Sequence, residues 1–119
     1  MKKCVLICDD DVDILEVCST ILHLHNYDTI TSPNCENVFE LLKTHTPDLI
    51  LMDLWVPEMG GEKATEKLKT DPETSHLPVI LFSANREIEN VAQKVNANDF
   101  ICKPFDIQEF IIKINKNML

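Results

Sequence analysis

Leu49-Ile50-Leu51-Met52-Asp53-Leu54-Trp55-Val56-Pro57-Glu58-Met59-Gly60-Gly61 decides how the rest of the chain is read. Four consecutive apolar residues follow the breaker Thr46-Pro47-Asp48 and run into a Pro/Gly segment, which predicts a short strand buried on both faces. Such strands belong to parallel sheets covered by helices on either side. Asp53 closes this one, so its carboxylate is expected at the C-terminal edge, pointing into a crevice rather than into bulk water.

The same pattern recurs outward from this stretch. Residues 3–8 read as a first strand that ends on Asp9-Asp10-Asp11. Asp11 is a suitable cap for a helix with the apolar stripe Ile14, Val17, Cys18, Ile21 and Leu22. Residues 29–31, next to Tyr27, form a short second strand, and Ser32-Pro33 opens a helix carrying Val38, Leu41 and Leu42. Beyond Asp53, Gly60-Gly61 leads into a helix over 62–70 that stops near Asp71-Pro72, and a polar loop covers 71–76. Residues 78–82 are a fourth strand, followed by Ser83. A helix over 86–95 has Ile88, Val91, Ala92 and Val95 in register. Asp99–Cys102 is a fifth strand, followed by Lys103, and Asp106 caps a last helix with the stripe Ile107, Phe110, Ile111 and Ile114.

Five strand–helix units with short connections predict one domain over residues 1–119. Right-handed crossovers make it an α/β, doubly wound, five-stranded parallel sheet of order 2-1-3-4-5, a flavodoxin-like three-layer sandwich. Strands 1 and 3 then flank the switch point where such folds bind ligands. Asp9, Asp10, Asp53, Ser83 and Lys103 all fall on that one edge.

The formal net charge of −9 argues against direct nucleic acid binding, which needs clustered Lys and Arg. It suits a protein that holds a cation or docks on a basic partner. No apolar run approaches the roughly 20 residues of a membrane span. The basic-then-apolar start stops at Asp9, too soon for a signal-peptide core. The five cysteines, Cys4, Cys8, Cys18, Cys35 and Cys102, are odd in number and lack a C-x-x-C pair. They are expected to be buried free thiols in a reducing cytoplasm rather than a disulfide framework or zinc site.

Two carboxylates 4 Å apart repel by about 4 kcal/mol at an effective dielectric near 20. Three in one crevice therefore require a raised pKa or a bound cation. Oxygen donors without imidazole or thiolate favour a hard ion that keeps its waters, which points to Mg2+. Lys103 supplies further positive charge. Asp11 lies outside the pair Asp9-Asp10 and is assigned to capping.

The motifs Val5-Leu6-Ile7-Cys8-Asp9-Asp10-Asp11, Leu49 to Gly61, Pro78-Val79-Ile80-Leu81-Phe82-Ser83-Ala84 and Asn98-Asp99-Phe100-Ile101-Cys102-Lys103-Pro104-Phe105, in this order, resemble the response-regulator receiver domain of two-component signalling, chemotaxis-regulator-like, over essentially the whole chain. The resemblance implies that Asp53 is the phosphoacceptor, taking a phosphoryl group from a histidine. It implies that Asp9, Asp10, Asp53 and the backbone carbonyl of Trp55 hold Mg2+, with Asp9 acting through water. Lys103, Ser83 and the Ala84 amide would steady the phosphoryl group. Ser83 and Phe100 would form the switch that reshapes the surface of helix 4, strand 5 and helix 5. Trp55 and Asn85 occupy positions that tune phosphoryl lifetime, and bulky Trp55 suggests slow loss. A cis Lys103–Pro104 peptide is implied too. Asn96 stands where many receivers have Gly, and Phe100 where many have Tyr.

The partners implied are a sensor histidine kinase or histidine phosphotransfer domain, and a downstream effector protein or fused output domain, with no membrane contact. Slow self-phosphorylation and self-dephosphorylation are the only catalysis expected. The alternative is a phosphorylation-independent, receiver-like interaction module, yet no acidic ligand, acceptor or lysine is missing. A haloacid-dehalogenase-type phosphohydrolase needs a second Asp where Trp55 stands. An FMN carrier needs a phosphate loop that the acidic segment after strand 1 does not provide.

Overall fold

The computed structural model describes residues 2–54, 60–84 and 86–118. Its elements alternate strictly: β1 (Cys4–Cys8), α1 (Val12–Leu24), β2 (Asp28–Ser32), α2 (Cys35–Leu42), β3 (Leu49–Asp53), α3 (Gly61–Thr70), β4 (Val79–Ser83), α4 (Ile88–Lys94), β5 (Asp99–Cys102) and α5 (Ile107–Asn117). All pairings are parallel and the order is β2-β1-β3-β4-β5. This is the flavodoxin-like, doubly wound sandwich read from the strand pattern.

Side-chain alternation along the strands splits the core into two layers. Leu6, Cys8, Ile50, Met52, Val79 and Leu81 face α2, α3 and α4. Val5, Ile7, Leu49, Leu51, Ile80, Phe82 and Ile101 face α1 and α5. Because both faces are covered, β3 and β4 are buried at every position.

Helix starts follow local chemistry. The Asp11 side chain accepts from the Asp13 N–H and caps α1, and Asp106 does the same for α5 through Gln108. The second helix is capped one step later than Ser32-Pro33 suggested. Asn34 is the cap, accepting from Asn37 N at 2.8 Å, and Pro33 lies before it. Ser32 instead ends β2, buried, with its hydroxyl donating to the Asn34 carbonyl.

Two stripes and one helix length also differ from expectation. Leu15, rather than Val17, joins Cys18, Ile21 and Leu22 in the core, and Val17 is 48% exposed. Ile107 is exposed while Phe110, Ile111 and Ile114 are buried. The fourth helix is shorter than 86–95. Glu87 opens it without a side-chain cap, and Val95, still buried, closes it. Asn96 then adopts φ 62°, a left-handed conformation that Asn tolerates, and Asn26 does likewise at φ 68°. All five cysteines are free. Cys8, Cys18 and Cys35 are buried as expected, whereas Cys4 is half-buried and Cys102 exposed. No helix among the described residues is long and apolar enough to cross a membrane.

Candidate functional site

The C-terminal ends of β1, β3, β4 and β5 converge on a single rim. Register does the positioning: Cys8 pairs with Met52, so Asp9 and Asp53 follow side by side, and Ser83 pairs with Cys102. Backbone bonds carry the order one residue past the strands. Asp9 N donates to Ser32 O at 3.1 Å, Leu54 N to Phe82 O at 3.2 Å, and Lys103 N to Ser83 O at 2.9 Å.

Asp9, Asp10 and Asp53 each bring a carboxylate oxygen within 4.8 Å of the others. Asp9 and Asp53 are 1% and 5% exposed, whereas Asp10 opens to solvent. The Lys103 ammonium bridges the two buried acids, donating to Asp9 Oδ2 at 3.0 Å and Asp53 Oδ1 at 3.1 Å. It also lies over the Phe82 ring, 4.3 Å from its centroid, a favourable cation–π arrangement. The Lys103–Pro104 peptide is cis. The other Asp9 oxygen, Oδ1, accepts from the Asp11 N–H at 2.9 Å, so this carboxylate is held at both oxygens.

Electrostatics leave the site under tension. Burial, then the Asp9 charge, pushes the Asp53 carboxyl above the usual carboxylate range against the pull of Lys103. Burial draws the Lys103 ammonium down, but its contacts with Asp9 and Asp53 outweigh this and hold it above lysine's ordinary value. The donor set of three carboxylates, one open to water, fits a hard, partly hydrated dication and suits Mg2+.

Ser83 is buried at the end of β4 and shares side-chain parity with Val79 and Leu81, hence with the α3/α4 layer. Ala84 follows it, exposed at the rim. Phe100 is half-buried against the same layer. Lys113 of α5 pins it, with Nζ 4.6 Å from the ring centroid and donating to the Phe100 carbonyl, while pairing with Asp99 at 3.6 Å. The Trp55 carbonyl and the positions Trp55 and Asn85 lie outside the described residues.

Three contributors escaped the sequence. Phe82 read as plain core, and its role as a seat for Lys103 has no linear signature. Lys113 lies off the apolar stripe of the last helix and carries no linear signature either. Gly61 was legible only as half of a Gly pair. Its structural reason is close approach, since a Cβ there would meet the Asp53 carbonyl oxygen at 2.1 Å. The α3 start can rest against the end of β3 only without a side chain.

Comparison with known proteins follows this geometry. Residues 5–115 match the family model described as the response regulator receiver domain. The polar-differentiation response regulator DivK of Brucella anthropi is 33% identical over 114 residues, covering 93% of this chain and 92% of DivK. The phosphate regulon transcriptional regulatory protein PhoB of Pseudomonas aeruginosa is 32% identical over 114 residues, covering 94% of this chain but 50% of PhoB. A putative response regulator from Chloroflexus aurantiacus superposes with a TM-score of 0.93 at 22% identity, over 98% of this chain and 97% of that one, a likeness of fold. The chain thus spans nearly all of one curated relative and half of another.

Proposed function

The chain belongs to the response regulator receiver family, and from that membership we propose that it is a phosphoacceptor, with Asp53 taking a phosphoryl group from the phosphohistidine of a sensor kinase or histidine phosphotransfer protein. In this reading an Asp53 carboxylate oxygen attacks phosphorus in line, the N–P bond breaks, and the electron pair leaves with the imidazole. Such transfers depend on positioning and charge neutralisation more than on covalent assistance. Asp10 and Asp53, with Asp9 through water, would hold Mg2+, which would supply part of that neutralisation. Lys103 supplies the rest, and Asp9 keeps its ammonium aimed between the two acids.

Phosphorylation adds about −1.5 to −2 charge and three acceptor oxygens. Lys103 and the Ala84 amide then bind phosphoryl oxygens, and the Ser83 hydroxyl turns toward them. Phe100, on the same side of the sheet as Ser83, moves into the vacated space. The surface of α4, β5 and α5 changes with it, for a downstream effector or output domain to read.

The single observation that supports this most is the Lys103 bridge, 3.0 and 3.1 Å to two buried acids from different strands. A structural ion pair needs one partner, and the second acid raises the electrostatic cost unless it has work to do. Incubation with acetyl phosphate and Mg2+, read by intact mass, tests the proposal. One added phosphoryl group, absent in Asp53→Asn, is expected. No incorporation from acetyl phosphate or from a panel of phosphorylated kinases would leave a phosphorylation-independent interaction module.

A further inference from the structure

On the opposite side of the sheet from Asp9, three sulfur atoms meet in the core. Cys8 Sγ lies 3.9 Å from Cys35 Sγ, and the Cys35 S–H donates to Met52 Sδ at 3.7 Å. With the Cys35 proton engaged by Met52, Cys8 is the donor in the thiol pair. All three residues are 0% exposed. Cys8 ends β1 and Cys35 opens α2 immediately after its Asn34 cap, so the contact joins a central strand to the first turn of a helix.

We propose that Cys8 and Cys35 form a reversible, peroxide-driven disulfide, a covalent modification site separate from the phosphoacceptor. Formation requires the sulfurs to approach by roughly 2 Å, since the bond is about 2.05 Å long. The product is uncharged and apolar, which suits the layer it occupies. Cys35 is the attacking thiol. It receives the Cys8 S–H and sits at a helix N-terminus, both of which favour a thiolate. Its pKa falls below the usual thiol value, with the Cys8 hydrogen bond as the largest cause.

The chemistry balances in two steps. The Cys35 thiolate attacks one oxygen of hydrogen peroxide, the O–O bond breaks, and water leaves once the departing hydroxide is protonated, giving Cys35 sulfenic acid. Cys8 sulfur then attacks Cys35 sulfur, expelling the hydroxyl as a second water with the Cys8 proton. Two thiols are oxidised by two electrons, and one peroxide is reduced to two waters. Access comes through local opening. The helix α2 is eight residues long and packs beside the edge strand β2, so its first turn opens more readily than the central sheet. Peroxide is small enough to enter through that opening.

Cys102, exposed and free, would cross-link molecules and obscure the result, so the experiment uses the full chain carrying Cys102→Ser. After hydrogen peroxide treatment, intact mass should fall by two hydrogens, and a non-reducing peptide map should join the Cys8 and Cys35 peptides. Dithiothreitol should reverse both. Adding Cys8→Ser should leave Cys35 as a sulfenic acid trapped by dimedone. Adding Cys35→Ser should abolish oxidation at Cys8. Recovery of both thiols as alkylated peptides after treatment long enough to exchange the α2 amides would overturn the proposal, as would a disulfide mapping to Cys4 or Cys18. The map of the Cys102→Ser protein decides the matter even where the double variants do not fold.

Discussion

Replacing Asp53 by Asn should make the metal-free protein more stable. Three carboxylates within 4.8 Å of one another include two that are almost fully buried. At an effective dielectric of 20, the buried pair at that separation repels by about 3.5 kcal/mol, and Lys103 at its contact distance returns about 5 kcal/mol. Desolvation of the buried carboxylate adds several kcal/mol on the unfavourable side. The balance leaves Asp53 costing the fold on the order of 2 kcal/mol, in keeping with its raised pKa. For a domain of this length that corresponds to a rise in Tm of about 5–10 °C in Asp53→Asn.

Differential scanning fluorimetry in EDTA measures this, and Mg2+ supplies the complementary arm. At tenfold over its Kd, a ligand specific to the folded state adds about 1.4 kcal/mol. The wild type should therefore gain several degrees from Mg2+ and the variant much less, so the two melting curves converge. Acidification should narrow the gap as well. A carboxyl whose folded pKa is raised is costly above that pKa, and the cost disappears as pH falls through it, because protonation does what the substitution does. A variant that melts at or below the wild type in EDTA would refute the picture of acids held together against their repulsion.

Other outcomes follow from neighbouring residues. Lys103→Met removes the cation that competes for the acids, so Mg2+ should bind several-fold more tightly by calorimetry while phosphoryl incorporation from acetyl phosphate falls at least about tenfold. The Asp99 carboxyl is raised by burial but lowered further by Asn117, the Phe100 N–H and Lys113, for a net depression. Its contribution is present above the unfolded value near pH 3.9 and is lost as pH falls through the folded value, so urea midpoints of Asp99→Asn should vary less with pH below about 4 than those of the wild type. Asn96→Ala should destabilise by about 1 kcal/mol and Asn96→Gly should be near neutral, since the position holds φ 62°; urea denaturation distinguishes them. Gly61→Ala forces a Cβ into the Asp53 carbonyl and should lower both stability and phosphoryl incorporation, by about 3 kcal/mol or more for the fold.

Sequence pattern fixed the strands better than the helices, for a physical reason. Strands such as Leu49–Asp53 are uniformly apolar and end where the composition changes, so this strand and Asp99–Cys102 match the structure residue for residue and the other three differ by one residue at one or both ends. Helix faces must be resolved by angle. The α1 segment carries Val12, Ile14, Leu15, Val17, Cys18, Ile21, Leu22 and Leu24, too many apolar residues to fix one stripe, and Leu15 was passed over for Val17. At the site, chemical identity was legible from strand-end placement, because topology alone brings those ends together. Contacts that run between layers were not. The seat of Lys103 on Phe82 and the hold of Lys113 on Phe100 depend on loop paths and helix rotation that no local pattern encodes.

The two-layer core constrains how a message can travel. Its apolar halves are separated by a continuous hydrogen-bonded sheet, so repacking one half does not by itself reach the other. Asp53 shares its parity with one half and Ser83 with the other, and each stands at the end of its strand, on the rim. The rim thus links two compartments that the sheet separates, and among the described residues the hold of Lys113 on Phe100 at the β5 edge is a second link. Substitutions deep in either half should alter how firmly the molecule holds together, whereas those along the lip should alter what it says.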